Sequence, residues 1–206
     1  MTGTAATGSL FPDPPVIAIL RGRSAGRFGA VTEVLCEAGV RVVELTLTTP
    51  GALEALAGIR AQVPADIVLG MGSVLTKEDV DASVHAGAQC LFTPTYLPEV
   101  VARAVEVGVP IVAGAATPTE IFNAYASGAS AVKVFPASQL GGPQYLRAVR
   151  APLPEVPLVP TGGVGVRDVA AYLAAGAAAV GLGGPLLGDA LDDGGDLHEL
   201  AARARE

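Results

Sequence analysis

Short apolar runs alternate with longer amphipathic segments along almost the whole chain. The runs are VIAIL (16–20), RVVEL (41–45), IVLG (67–70), QCLF (89–92), PIVAG (110–114), AVKVF (131–135), PLVP (157–160) and AAVGL (178–182). Each has the length of a strand, and their starts lie roughly 20 to 27 residues apart, the spacing of successive strand–helix units. Between them, Val31, Val34, Leu35 and Ala38 form one stripe at helical spacing, with Thr32, Glu33 and Glu37 off it. Leu97, Val100, Val101, Ala104 and Val105 form another. Helix-ending glycines recur before the strands, in Ala38-Gly39, Ala86-Gly87, Val107-Gly108, Ser127-Gly128 and Ala175-Gly176. Thr117-Pro118-Thr119-Glu120 reads as a helix start, with Thr117 as cap, Pro118 in the first turn and Glu120 completing a capping box.

Eight consecutive units predict an α/β fold, a single (β/α)8 TIM barrel over residues 1–206 with residues 1–14 as a short lead-in. The competing open doubly wound sheet carries a glycine-rich turn after its first strand, whereas VIAIL is followed by Arg21-Gly22-Arg23-Ser24. The uncharged stretch 169–188 has the length of a membrane span, but Gly183-Gly184-Pro185 breaks it. It reads as a helix end, a turn, a buried strand and a loop. The first residues show no basic region followed by an apolar run, so no signal peptide is expected, and the expected location is cytoplasmic.

Composition sharpens this picture. At 50% hydrophobic and 16% charged, the 206 residues can bury a large core. A net charge of −7 argues against nucleic acid or an anionic membrane as partner. It leaves room for small anions at a locally positive site. Cys36 and Cys90 form no CxxC pair and read as two buried thiols. His85 and His198 each stand alone in a helical segment, so no histidine-based metal site is expected, and no motif calls for a cofactor.

Polar residues inside apolar strands carry the chemistry. Strand residues of a barrel alternate between helices and interior. In RVVELTL, Val43 and Leu45 then face the helices, while Val42, Glu44 and Thr46 face inward. In AVKVF, Val132 and Val134 face out and Lys133 faces in. Lys77, the other lysine of the chain, falls in a polar helix start and reads as surface. Two readings of Lys133 stand side by side. One is a buried ion pair with Glu44 that satisfies both charges, an arrangement often no more stable than apolar packing. The other is a Schiff-base lysine, whose pKa must fall by ~3 units, a differential cost of roughly 4 kcal/mol, for the amine to be substantially neutral. An apolar interior favours that shift, and a nearby carboxylate opposes it.

Taken together, VELTLTTP (43–50), GMGSVL (70–75), FTPT (92–95), ATPTE (116–120), KVFPAS (133–138), GGPQYLRAV (141–149), PTGGV (160–164) and GLGG (181–184) resemble the 2-keto-3-deoxy-6-phosphogluconate and 4-hydroxy-2-oxoglutarate aldolases. They occur in the family's order and cover roughly residues 16 to 200. The resemblance implies a class I, metal-independent lyase on a barrel, usually a homotrimer. Lys133 would attack the substrate C2 ketone, with Glu44 as acid/base. Ser73, Pro94, Phe135 and Thr161 match substrate-contact positions. The family's arginine after the Glu strand is replaced by Thr48, which remains a candidate contact. Arg21, at the end of the first strand, is expected to bind the substrate carboxylate instead, as in galactonate-type relatives. Gly162, Gly163, Gly183 and Gly184 end strands seven and eight, where barrels bind phosphate through backbone N–H groups. The family often has Ser at position 184.

The implied partners are a small-molecule keto acid and an aldehyde phosphate. The leading substrate is a 6-phospho sugar acid of gluconate type, yielding pyruvate and glyceraldehyde 3-phosphate. Its galactonate epimer, and 4-hydroxy-2-oxoglutarate yielding glyoxylate, are the alternatives. From another class, a non-covalent phosphate-binding barrel such as an isomerase would use the lysine as an electrostatic clamp.

Overall fold

In the computed structural model, which describes residues 10–206, every apolar run forms a strand. They are β1 (Val16–Leu20), β2 (Val42–Thr46), β3 (Val68–Gly72), β4 (Cys90–Phe92), β5 (Ile111–Ala115), β6 (Ala131–Val134), β7 (Leu158–Pro160) and β8 (Val180–Leu182). The helices are α1 (Phe28–Glu37), α2 (Ala52–Arg60), α3 (Lys77–His85), α4 (Pro98–Glu106), α5 (Pro118–Ala126), α6 (Gly142–Arg150), α7 (Val169–Ala174), α8 (Gly184–Leu187) and α9 (Leu197–Arg205). All strand pairs are parallel, in the order β7-β6-β5-β4-β3-β2-β1-β8. The barrel closes between β7 and β8 through a bridge from Thr161 to Gly181 and a 2.8 Å bond from the Ala178 N–H to the Leu158 carbonyl.

Alternation along the strands builds two apolar layers. Ala18, Leu20, Val43, Leu45, Val132 and Val134 pack outward with the helices, while Ile17, Ile19, Val42, Phe92, Val112 and Val159 cluster in the interior. This matches the facing expected for β2 and β6. Much of the expected lead-in, residues 1–9, lies outside the described residues. Its described part is more than a lead-in: Phe11 is buried in the inner cluster, with Leu10, Val68 and Ala178 packed against that cluster.

Helix ends follow their sequence signals. Gly39 and Gly128, for example, adopt φ of 104° and 100° immediately after the caps of α1 and α5. At the start of α5, Glu120 accepts from the Ala116 and Thr117 N–H groups at 2.8 and 2.9 Å while Thr117 accepts from the Glu120 N–H. The Ala116 N–H bond, supported by those of Thr117, holds the Glu120 carboxyl below its ordinary range.

Four expectations need correction. The buried face of α1 runs through Phe28, Val31, Thr32 and Leu35, so Thr32 is fully buried while Val34 and Ala38 stay partly exposed. The stripe begins one turn earlier, at Phe28, and this rotates it onto Thr32. Val105 is exposed, since Val100, Val101 and Ala104 fill the buried face of α4. Residues 184–187 form α8 rather than a loop, with Pro185 in its first turn, where a missing N–H costs no bond. Cys90 is buried, but Cys36 is only partly so, because the end of α1 lies near the surface. His85 and His198 lie exposed on α3 and α9, as does Lys77. Among the described residues there is no cluster of metal-ligating side chains, and no helix is long and apolar enough to cross a membrane.

Candidate active site

Glu44 and Lys133 come from opposite walls. Glu44 sits inside β2, in register with Ile19 of β1 and Gly70 of β3. Lys133 sits inside β6, in register with Gly114 of β5 and Val159 of β7. Their side chains meet across the barrel, with Lys133 Nζ 3.2 Å from both Glu44 Oε1 and Oε2. Both are buried, at 7% and 1% exposure, and the Phe92 ring centre lies 5.9 Å from the lysine nitrogen. A carboxylate and an amine so enclosed can exchange a proton without solvent. The pair is in direct contact, closer than a water-mediated arrangement. Cys90 lies near them, and its thiol is pushed up by burial, with the Glu44 charge adding to the effect.

Glycine makes the room. Gly70, Gly72, Gly114 and Gly181 occupy inward positions next to these side chains. A Cβ on Gly70 would come within 2.5 Å of the Phe92 ring, and one on Gly181 within 2.3 Å of Thr161 Oγ1. At Gly114 it would strike the Pro94-Thr95 peptide, which leans over that strand. Thr93 ties the turn that follows it to β5, donating to the Thr95 carbonyl at 2.6 Å and accepting from the Gly114 N–H at 3.0 Å.

Above the pair, a cavity of about 510 Å3 opens at the carboxyl ends of the strands. Of the sequence-predicted residues, Arg21, Lys133, Phe135, Thr161, Gly162, Gly163, Gly183 and Gly184 line it. Arg21 also reaches Ser73, donating to its Oγ at 3.1 Å. Ser73 is nearly buried and holds a left-handed φ of 61°, a strained conformation for a residue with a side chain. Glu44 lies beneath the floor, reached through Lys133, and Pro94 stands to one side against Gly114. Thr48 is outside the cavity lining: it is exposed, and its hydroxyl donates to Thr46 Oγ1 at 3.3 Å.

The four glycines of the proposed phosphate end differ in kind. Gly162 and Gly163 need positive φ, 92° and 69°, and a Cβ on Gly163 would overlap Ser138 Oγ. Gly183 and Gly184 carry no such backbone demand, and a Cβ on Gly184 would meet nothing within 4 Å.

Sequence reasoning missed two charged lining residues, Arg23 and Asp192. Arg23 was legible in principle, two positions after Arg21 in the same loop. Asp192 belongs to no motif. Its loop is drawn in by Arg27, which donates to the Ala190 and Gly195 carbonyls at 2.8 Å each. With Arg21, Arg23 and Lys133 against Asp192, the lining is net positive although the chain is −7 overall.

A buried amine and carboxylate beneath a positive mouth at the carboxyl end of a parallel barrel suit imine chemistry on an anionic substrate. The chain belongs to the KDPG and KHG aldolase family, whose model matches residues 9–202. It is 38% identical over 173 residues, 84% of each chain, to the 2-dehydro-3-deoxy-6-phosphogalactonate aldolase of Escherichia coli K12. It is 42% identical over 144 residues to the 2-dehydro-3-deoxy-phosphogluconate aldolase of Treponema pallidum, covering 70% of this chain and 68% of that one. Among solved structures, the KDPG aldolase of Legionella pneumophila, with pyruvate captured as a covalent carbinolamine, superposes with a TM-score of 0.85 at 26% identity, over 93% of this chain and 92% of that one.

Proposed function

We propose that the protein is a class I aldolase that reversibly cleaves a 2-keto-3-deoxy-6-phospho sugar acid, of gluconate type, to pyruvate and glyceraldehyde 3-phosphate. The observation that carries this is the enclosed contact of 3.2 Å between Lys133 and Glu44 under a positively charged cavity. The covalent pyruvate adduct of the Legionella relative supports the same chemistry.

Lys133 gives up a proton and attacks the C2 ketone, forming a carbinolamine. Glu44 returns a proton to the C2 hydroxyl, which leaves as water, and an iminium remains. Glu44 then takes the proton of the C4 hydroxyl. The C3–C4 bond breaks, its electrons flow into the iminium, and the aldehyde departs. Protonation of the resulting enamine at C3 and addition of water to the imine release pyruvate and restore the amine. Arg21 and Ser73 hold the substrate carboxylate, Thr161 contacts a sugar hydroxyl, and Phe135 walls the site. The amides of Gly162, Gly163, Gly183 and Gly184 receive the phosphoryl group.

Arg21 at the carboxylate end, with threonine at position 48, leaves room for the galactonate epimer as a second substrate. Cleavage of 4-hydroxy-2-oxoglutarate to pyruvate and glyoxylate uses the same lysine. We further propose a cytoplasmic homotrimer. Phe122 and Tyr125 on α5 and Val105 on α4 are exposed apolar side chains that support burial against other copies, and light scattering after gel filtration tests the trimer.

Borohydride trapping with pyruvate, followed by peptide mass spectrometry, tests the reaction. The expected result is one stable adduct on Lys133. Folded protein with no adduct would overturn the imine reading in favour of a non-covalent phosphate-binding barrel.

A further inference from the structure

Gly72 has no backbone reason to be glycine. It lies in regular β3, paired with Thr46, and its φ is outside the left-handed region. What it has is a neighbour. A Cβ on Gly72 would stand 2.0 Å from Glu44 Oε1, 2.6 Å from Cδ and 2.7 Å from Cγ. The Glu44 side chain therefore passes from Cγ to Oε1 close over the bare α-carbon, and the same Oε1 accepts from Lys133. At Gly70, one pleat below, the space is taken by the Phe92 ring instead.

We propose that Gly72 is a positioning residue for the reaction: its missing side chain sets where the Glu44 carboxylate sits relative to Lys133. This rests on the roles given above to Lys133 and Glu44. Adding one methyl group at position 72 forces the carboxylate to move by at least about 1 Å, a displacement that costs proton transfer on the order of 100-fold. Imine formation on Lys133 is slowed by the same displacement, because Glu44 also protonates the departing hydroxyl, but borohydride trapping run to completion still collects the adduct. Deprotonation of the bound pyruvate methyl group, which passes its proton to the carboxylate and leaves an enamine, is read as a rate and shows the full loss.

The test is a cycle of Gly72→Ala, Glu44→Ala and the double variant. Each is read by borohydride trapping with pyruvate and by exchange of pyruvate methyl protons in deuterated water, followed by NMR. Gly72→Ala is expected to keep the Lys133 adduct and lose exchange about 100-fold. In the Glu44→Ala background, the same methyl group meets no carboxylate and is expected to change exchange less than about twofold. Equal losses in both backgrounds, or unchanged exchange in Gly72→Ala, overturn the proposal. If Gly72→Ala does not fold, the double variant is expected to fold, because the overlap is gone; a double variant that also fails to fold overturns the proposal. A wild-type protein that forms no adduct overturns the imine reading first, and this inference with it.

Discussion

Arg21 crosses the end of β2 to donate a 3.1 Å hydrogen bond to Ser73 at the end of β3. It therefore overlies β2, which ends two residues before Thr48, the position where the family resemblance leads one to expect an arginine. A guanidinium and a hydroxyl placed this way offer a carboxylate several charge-assisted bonds. Arg21→Ala is expected to raise KM for the keto acid by roughly 10- to 100-fold, with Ser73→Ala producing a smaller rise. Steady-state kinetics on both variants check this, and a near-normal KM for Arg21→Ala would remove it from the carboxylate site.

Lys133 and Glu44 are expected to separate in kinetic detail. Lys133→Ala abolishes the borohydride adduct. Glu44→Gln keeps the side-chain shape and still permits an adduct, but turnover falls by about 100- to 10,000-fold, the usual contribution of a positioned acid/base. A Glu44→Gln enzyme with full turnover would assign proton transfer elsewhere.

Position 184 offers a gain of function. A side chain there enters open space and asks nothing unusual of the backbone. Gly184→Ser is expected to fold normally and to lower KM for phosphorylated substrates by about tenfold, the worth of one hydrogen bond to a charged group. KM for an unphosphorylated substrate should stay the same. Equal changes for both substrates would place the phosphoryl group away from this loop. Gly163→Val is a poorer probe, because it combines a φ of 69° with overlap on Ser138.

How far the sequence reads depends on what kind of signal each residue leaves. Lys133 and Glu44 were legible because each is a charge inside an otherwise apolar run, and strand alternation then aims both at one axis. The eight strands were legible from the apolar runs themselves and their regular spacing. Asp192 was not, because its place in the cavity depends on Arg27 binding carbonyls more than 160 residues further along the chain, at Ala190 and Gly195. Thr32 was misread because its polar type argued against burial, and its hydroxyl is indeed left without a hydrogen-bond partner. Gly72 stood in plain view inside GMGSVL, but a glycine in a strand says only that something comes close, not what.

The two thiols should differ in reactivity. Burial raises both above the usual thiol range, so each keeps its proton to higher pH and labelling accelerates only as pH rises. Cys36 is partly exposed and Cys90 fully enclosed. At pH 8 the folded protein is expected to label slowly at Cys36 and to spare Cys90 until denaturant is added. Rapid modification of both, read by mass spectrometry, contradicts this.

Seven strand pairs of the barrel run as ladders, while β7 and β8 share the Thr161–Gly181 bridge. Gly162 and Gly163 follow one side of this seam, and Gly183 and Gly184 follow the other. A phosphoryl group accepting N–H bonds from both sides would serve as the missing rung. Amide hydrogen exchange is then expected to be fastest, among barrel strands, at β7 and β8, and to slow there when glyceraldehyde 3-phosphate binds. On this view the substrate does more than occupy the barrel: it zips the last seam shut, so that the enzyme's cylinder is most complete while its ligand is in place.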